Sequence, residues 1–283
     1  MSNASRFLVT CAVGVFTAAA CAPAASPSQD IDSLVQQGLQ TAQAQMTTEA
    51  EGAPASQSQP AGTNTFSFGD FGISISFTFP EGFPQGALAE VLPRMAIQDP
   101  VDPEYPEHAR IILTGYAGEG RSNIAPGIRV FRVDEVNTMD PVVVARLQAV
   151  LAGTSDDRFD FPRLPFAGRT VDAQLRNLDF GSGAGYRFLV QGSFDASTLR
   201  GTRLYYLYQG LTTDGKYLVT VLMQPDAPFI EDLATGEPIT SNEAGDAYLI
   251  TLNERINAAQ PADFAPSLEI LDGLVRSLRI LEQ

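Results

Sequence analysis

From Phe66 onward apolar and polar residues take turns. Phe71, Ile73, Ile75, Phe77 and Phe79 are separated by Gly72, Ser74, Ser76 and Thr78, the period of two that predicts a strand with one buried face. Pro80-Glu81-Gly82-Phe83 ends it. Further strand-like stretches fall at 110–116, 128–133, 170–180, 185–194, 202–212 and 216–224. Short turns join several of the later ones, so an antiparallel meander is the simplest topology. Between the two groups the period changes. Asp140-Pro141 followed by Val143, Val144, Leu147, Val150 and Leu151 predicts a helix with Asp140 as N-cap, Pro141 in the first turn and Gly153 as the stop.

The hairpin centred on Asp214-Gly215 predicts a type I′ turn and pairs Leu211 with Leu218, Tyr208 with Val221 and Tyr206 with Met223. One face then carries Leu204, Tyr206, Tyr208, Val219, Val221 and Met223, and the other Leu207, Leu211, Leu218 and Leu222. Apolar residues on both faces require cover on both. Two helical patterns are available for it: Tyr248, Leu249, Leu252 and Ile256, and Leu268, Leu271, Leu274, Val275 and Leu278 behind a Ser267 N-cap. The expected fold class is therefore α+β, an antiparallel sheet covered by helices on both faces, with residues 66–283 as a single domain.

Residues 21–65 read differently. Beyond Cys21 they are Ala, Gln, Ser, Pro, Thr and Gly with four acids, no basic residue and no aromatic, a composition that predicts a disordered tether. Ile31, Leu34, Val35 and Leu39 add a weak helical pattern over 30–45. Residues 1–20 resemble a bacterial lipoprotein signal peptide: Arg6, an apolar run from Phe7, then Ala18-Ala19-Ala20 before Cys21. That resemblance makes Cys21 the lipid-attachment residue and the membrane a partner through the N-terminal lipid. Ala18 departs from the larger aliphatic residue usual at that position. Secretion after cleavage at the Ala-x-Ala site stands as the alternative. The apolar run is shorter than the roughly 20 residues a spanning helix needs.

Charge and chemistry narrow the function by exclusion. The chain has 33 acidic against 18 basic residues, a formal net charge of −15, so it lacks the basic footprint of a nucleic-acid binder. His108 is the only histidine, which excludes a His-rich metal site, and no Gly-x-Ser-x-Gly nucleophile elbow is present. Gly181-Ser182-Gly183-Ala184-Gly185 lacks the Lys-Ser/Thr of a phosphate loop and lies between strands. Asp156, Asp157 and Asp160 gather carboxylates without the spacing of a calcium loop. Tyr205, Tyr206, Tyr208 and Tyr217 offer either an aromatic ligand surface or ordinary core and edge positions. No cofactor is implied and no catalytic, cofactor-binding or metal residue is assigned.

The strand Phe71–Pro80 with its Phe-Pro exit, the long hairpin 202–224 and the closing Leu-Asp-Gly-Leu-Val-Arg-Ser-Leu-Arg-Ile of 271–280 together resemble the PsbP-like family and the LpqN-type bacterial lipoproteins that share its α/β/α sandwich. The resemblance implies a non-catalytic assembly or binding factor. Combined with the signal, it predicts a lipid-anchored extracytoplasmic domain of the bacterial envelope with a protein or envelope partner. Two alternatives stand beside it: a hydrolase whose paired carboxylates come from separate strands and leave no motif, and a purely structural envelope lipoprotein.

Overall fold

A computed structural model describes residues 57–58, 62–80, 86–94, 105–115, 125–156, 159, 161, 168–193, 204–233 and 242–283. The signal, Cys21 and the helical pattern at 30–45 lie outside them. All the described elements belong to one compact unit, Pro54–Gln283. Eleven strands run in chain order: β1 (Gln57–Ser58), β2 (Thr63–Phe68), β3 (Ile73–Thr78), β4 (Gly86–Leu92), β5 (His108–Thr114), β6 (Gly127–Arg132), β7 (Gly168–Phe180), β8 (Gly183–Ser193), β9 (Tyr205–Thr212), β10 (Tyr217–Met223) and β11 (Arg279–Glu282). Four α-helices intervene: α1 (Val133–Met139), α2 (Pro141–Leu151), α3 (Asn242–Ala258) and α4 (Leu268–Ser277).

The strands form two antiparallel sheets. The larger has the order β1-β4-β5-β6-β10-β9-β8-β7 and the smaller β11-β3-β2. Alternation in β3 turns Ile73, Ile75 and Phe77 into the core, and their register partners Phe68, Phe66 and Ile280 point the same way. These residues pack with one face of the large sheet and with Leu252 and Ile256 of α3 and Leu268, Leu271, Leu274 and Val275 of α4. The other face of the large sheet packs Phe131, Tyr186, Phe188, Leu207, Leu218 and Leu222 against Val136 of α1 and Val143, Val144, Leu147 and Val150 of α2.

The helix-covered α/β/α sandwich expected from the sequence, and from the PsbP-like resemblance, is not what the chain builds. Strand residues outnumber helical ones and the helices are few. The demand for cover on both faces of the β9–β10 hairpin was right, but much of that cover on one face is a second sheet. Apolar residues on a sheet face ask for an apolar partner layer without specifying its secondary structure. The opening strand joins this second sheet rather than the meander, and Arg279–Glu282 is too short for its alternation to register. The folded unit also starts before Phe66, since β2 begins at Thr63 and β1 at Gln57.

Local signals fared better. The β9–β10 register is Leu211 with Leu218, Tyr208 with Val221 and Tyr206 with Met223. Asp140 caps α2 by accepting from the Val142 N–H at 3.0 Å, and Ser267 caps α4 by accepting from Glu269 at 3.2 Å. The turn at Asp214-Gly215 differs from type I′, which needs a positive φ at both residues. Only Gly215 has one, at 71°, and its N–H closes on the Thr212 carbonyl at 2.8 Å. The side chain of Asp214 accepts from the Thr212 hydroxyl and from the Lys216 N–H, which holds the aspartate below its usual range.

Two polar clusters fix the layers. Asp272 of α4, almost fully buried, accepts from Arg187 Nε of β8 at 3.2 Å, from the Tyr206 hydroxyl of β9 at 2.8 Å and from Arg176 Nη1 of β7 at 3.3 Å. Burial and the neighbouring carboxylate push the Tyr206 phenol well above its ordinary value, so it stays a donor. Along β7, an edge strand, the N–H groups of Asp172 and Gln174 donate to the side chains of Asn253 and Asn257 of α3 at 3.0 and 2.7 Å. Gln174 sits in a bulge with φ 55°, and its own amide donates to the carbonyls of Ile256 and Ala259. Arg187 Nη1 donates to the Gln174 carbonyl, linking the two clusters.

Asp272→Ala removes the carboxylate partner of buried Arg187 and should cost about 3–5 kcal/mol in urea denaturation, whereas the double variant Arg187→Met/Asp272→Leu should recover much of that loss. Equal losses in the two variants would mean that shape, not charge, holds the helix down. Gly215→Val should cost about 1–3 kcal/mol from turn strain alone, because nothing lies within 4 Å of a Cβ built there.

Candidate functional site

On the face of the large sheet that packs against α1 and α2, one row of register partners is polar from end to end. Reading across strands it is Glu90 (β4), Arg110 (β5), Arg129 (β6), Thr220 (β10), Gln209 (β9) and Tyr186 (β8). Largely apolar rows flank it, with Leu92, His108, Phe131, Leu218 and Leu211 on one side and Leu88, Ile112, Leu222 and Leu207 on the other. Period two in each strand places every one of these residues on the same face.

Exposure falls along the row. The side chains of Glu90 and Arg110 are 38% and 24% exposed, Arg129 is 6% exposed and Thr220 fully buried. Glu90 accepts through one oxygen from Arg110 Nε at 2.8 Å and Nη2 at 2.5 Å. At the far end the Tyr186 hydroxyl meets Gln209 Oε1 at 3.2 Å, and Gln209 Nε2 donates to the Phe161 carbonyl at 3.0 Å. The middle is different. Arg129 Nη2 reaches only the Ala125 carbonyl at 3.3 Å, while Arg129 Nη1 and Thr220 Oγ1 are buried without a hydrogen-bond partner.

That centre is unusual on energetic grounds. A buried guanidinium is normally matched by a carboxylate, because desolvating an unpaired charge costs several kcal/mol. Arg129 instead lies directly opposite a second arginine, Arg110, whose one carboxylate partner is Glu90. Burial, then the repulsion from Arg110, lowers the Arg129 guanidinium to about 10, so it is still charged at neutral pH.

His108 begins β5 next to this row and pairs with Phe131, its ring 4.6 Å from the phenylalanine ring. Nδ1 lies 2.9 Å from the Pro106 carbonyl, the geometry of a neutral ring donating from that nitrogen. Burial foremost, with Arg129 and Arg110 adding to it against the opposing pull of the Pro106 carbonyl and Glu90, lowers its pKa to about 4. The ring is neutral at physiological pH.

A second feature is an open cleft of about 410 Å³ lined by Arg132, Val133, Asp134, Asn137, Gly215, Lys216 and Tyr217. Its cations are already paired: Arg132 with Glu107 and Glu135 at 3.0 and 2.9 Å, Lys216 with Glu282. Arg132 also stacks on Phe71, 4.0 Å from the ring centre. With its charges satisfied internally the cleft has little to offer an ionic ligand.

The residues singled out by sequence are dispersed. Cys21 lies outside the described residues, as do Asp157 and Asp160. Gly181 and Ser182 form the tight turn between β7 and β8, and Gly185 pairs with Gly210 where any Cβ would strike the Tyr208 hydroxyl. These glycines make room for a ring whose hydroxyl donates to the Leu178 carbonyl at 3.1 Å; they form no phosphate cradle. Tyr206 and Tyr208 are core residues, so no aromatic surface arises from them. Among the described residues no cluster of three or more His, Cys, Asp or Glu has metal-binding geometry. Sequence reasoning missed Arg129 altogether. Its signal was a lone arginine between Ile128 and Val130 in a buried strand, and the row it belongs to needs the register of six strands to be seen.

No protein-family model matches the chain, and no curated protein or solved structure matches it at a significant level.

His108 supplies a test of this environment. Its folded pKa is lower than the ordinary 6.5, so the unfolded chain takes up the proton first as pH falls. The stability that depends on the neutral ring is complete above pH 6.5 and drains away towards pH 4, by up to about 3 kcal/mol. Urea denaturation across this range should show the slope in the wild type and a shallower one in His108→Gln. Parallel curves would mean that the imidazole protonates equally well in both states.

Proposed function

We propose that this chain is a lipid-anchored extracytoplasmic domain that binds a ligand or partner without turning it over. The observation that carries the reading is Arg129, a buried guanidinium whose Nη1 has no partner, at the centre of a polar row crossing a largely apolar sheet face. A protein selected only for stability gains by replacing such a group with an apolar one. Its presence fits a site that is completed by something from outside. The resemblance of residues 1–20 to a lipoprotein signal supports the location, with Cys21 carrying the lipid.

The site chemistry favours binding over catalysis. His108 is neutral, held by Pro106 and stacked on Phe131, and among the described residues no hydroxyl nucleophile is hydrogen-bonded to it. The hydrolase alternative asks for a general acid with a raised pKa. Asp214 and Asp232 are displaced the other way, held low by hydrogen bonds from Thr212 and Arg255 respectively. Asp272 accepts from two buried donors, Arg187 and Tyr206, and from the half-exposed Arg176.

Growth with labelled fatty acid should label the wild-type protein, and Cys21→Ala should abolish the label and move the protein from the membrane to the soluble fraction. An unlabelled wild-type protein would refute the anchor. Crosslinking in intact cells should then recover a partner or ligand that Arg129→Met fails to retain.

A further inference from the structure

The ligand class can be read from the charge and geometry around Arg129, taking as its basis the reading of this chain as a binding domain. We infer that the polar row is a receptor for one carboxylate group, which sits between Arg129 Nη1 and Thr220 Oγ1 and enters from the β4–β5 side.

Three observations converge on this. The first is the pair of unsatisfied groups. Arg129 and Thr220 are register partners on neighbouring strands, so their Cβ atoms lie roughly 5 Å apart. Both present a buried polar atom with no partner. Arg129 offers only donors and the threonine hydroxyl can donate, which together suit an oxyanion and exclude a cation. The planar carboxylate matches the guanidinium fork, and its second oxygen remains for the hydroxyl.

The second is the charge count. Arg129 and Arg110 contribute two positive charges and Glu90 one negative, while His108 is neutral. The net is a single positive charge, which a monoanion cancels and a dianion would overshoot. Buried sites are stable when their charges close in this way.

The third is the gradient of access. Burial deepens from Glu90 through Arg110 to Arg129 and Thr220. A ligand arriving at the half-exposed Glu90–Arg110 end meets a cation already masked by its own carboxylate. Only at Arg129 does it find an uncompensated charge. Leu88 and Ile112, both partly exposed, lie beside the row on the same face, so the body of a ligand attached to the carboxylate would rest against apolar side chains.

The test is a thermal-melting titration of the purified protein with acetate, phosphate or chloride at millimolar concentration and matched ionic strength. Acetate should give a saturable rise in Tm of about 3 °C or more, with chloride giving none. Arg129→Met should melt no lower than the wild type in chloride and should lose the response to acetate. Thr220→Val, which removes the hydroxyl and keeps the shape, should weaken the acetate midpoint about tenfold or more, and it carries the test alone if Arg129→Met does not fold. A response to phosphate but not acetate would overturn the carboxylate assignment. Absence of any response specific to an oxyanion would mean that water completes the site, which also overturns it. A ligand recovered from cells that binds Arg129→Met as well as wild type would move the site elsewhere and leave the binding-domain reading standing.

Discussion

The Asp272 carboxylate is the joint between layers. It belongs to α4, yet its three donors come from β7, β8 and β9, so a single side chain ties a helix to three neighbouring strands. Its position decides more than the helix. Directly after α4 the chain turns at Leu278 into β11, which pairs with β3 and completes the small sheet. If α4 were displaced, Ile280 would lose its place opposite Ile75 and the second layer would lose an edge. Breaking a buried pair is costly because it strands the remaining charge, so the joint behaves as an all-or-none contact.

How much of this could be seen in the sequence depended on the range of the interaction. Asp140 and Ser267 act within two residues of themselves, and both caps were legible. The β9–β10 pairing was legible because Asp214-Gly215 fixes the register locally, although Asp214 did not adopt the positive φ that a type I′ turn needs. The second sheet was not legible, because β2, β3 and β11 meet from opposite ends of the chain: Phe66 and Ile280 flank Ile75 across more than two hundred residues. Arg129 was hidden for the same reason. An arginine in a strand is unremarkable until its opposite neighbours prove to be another arginine and a threonine.

The two faces of the large sheet differ in how their polar groups are arranged. Towards the small sheet, Asp272, Arg187 and Tyr206 are tightly matched, while Gln191 of β8 is buried with neither side-chain polar atom paired. Towards α1 and α2 a full polar row is tolerated, and it is matched at both ends but not in the middle. Proteins usually pair or remove buried charges. An unpaired guanidinium next to a second arginine leaves an uncompensated charge in the sheet interior, on strands rather than loops. A site on paired strands is held rigidly, which lowers the ordering cost of binding.

The asparagines that meet β7 have a meaning for how the molecule behaves among copies of itself. Asn253 and Asn257 are one helical turn apart, about 6 Å along the helix, and Asp172 and Gln174 are separated by nearly the same rise along a strand. Helix α3 therefore imitates a neighbouring strand, filling with side-chain amides the hydrogen bonds that another β-strand would otherwise seek. An open edge is a template for runaway pairing between chains. Between Thr170 and Gln174 that template has been used up from within, over part of the longest strand among the described residues.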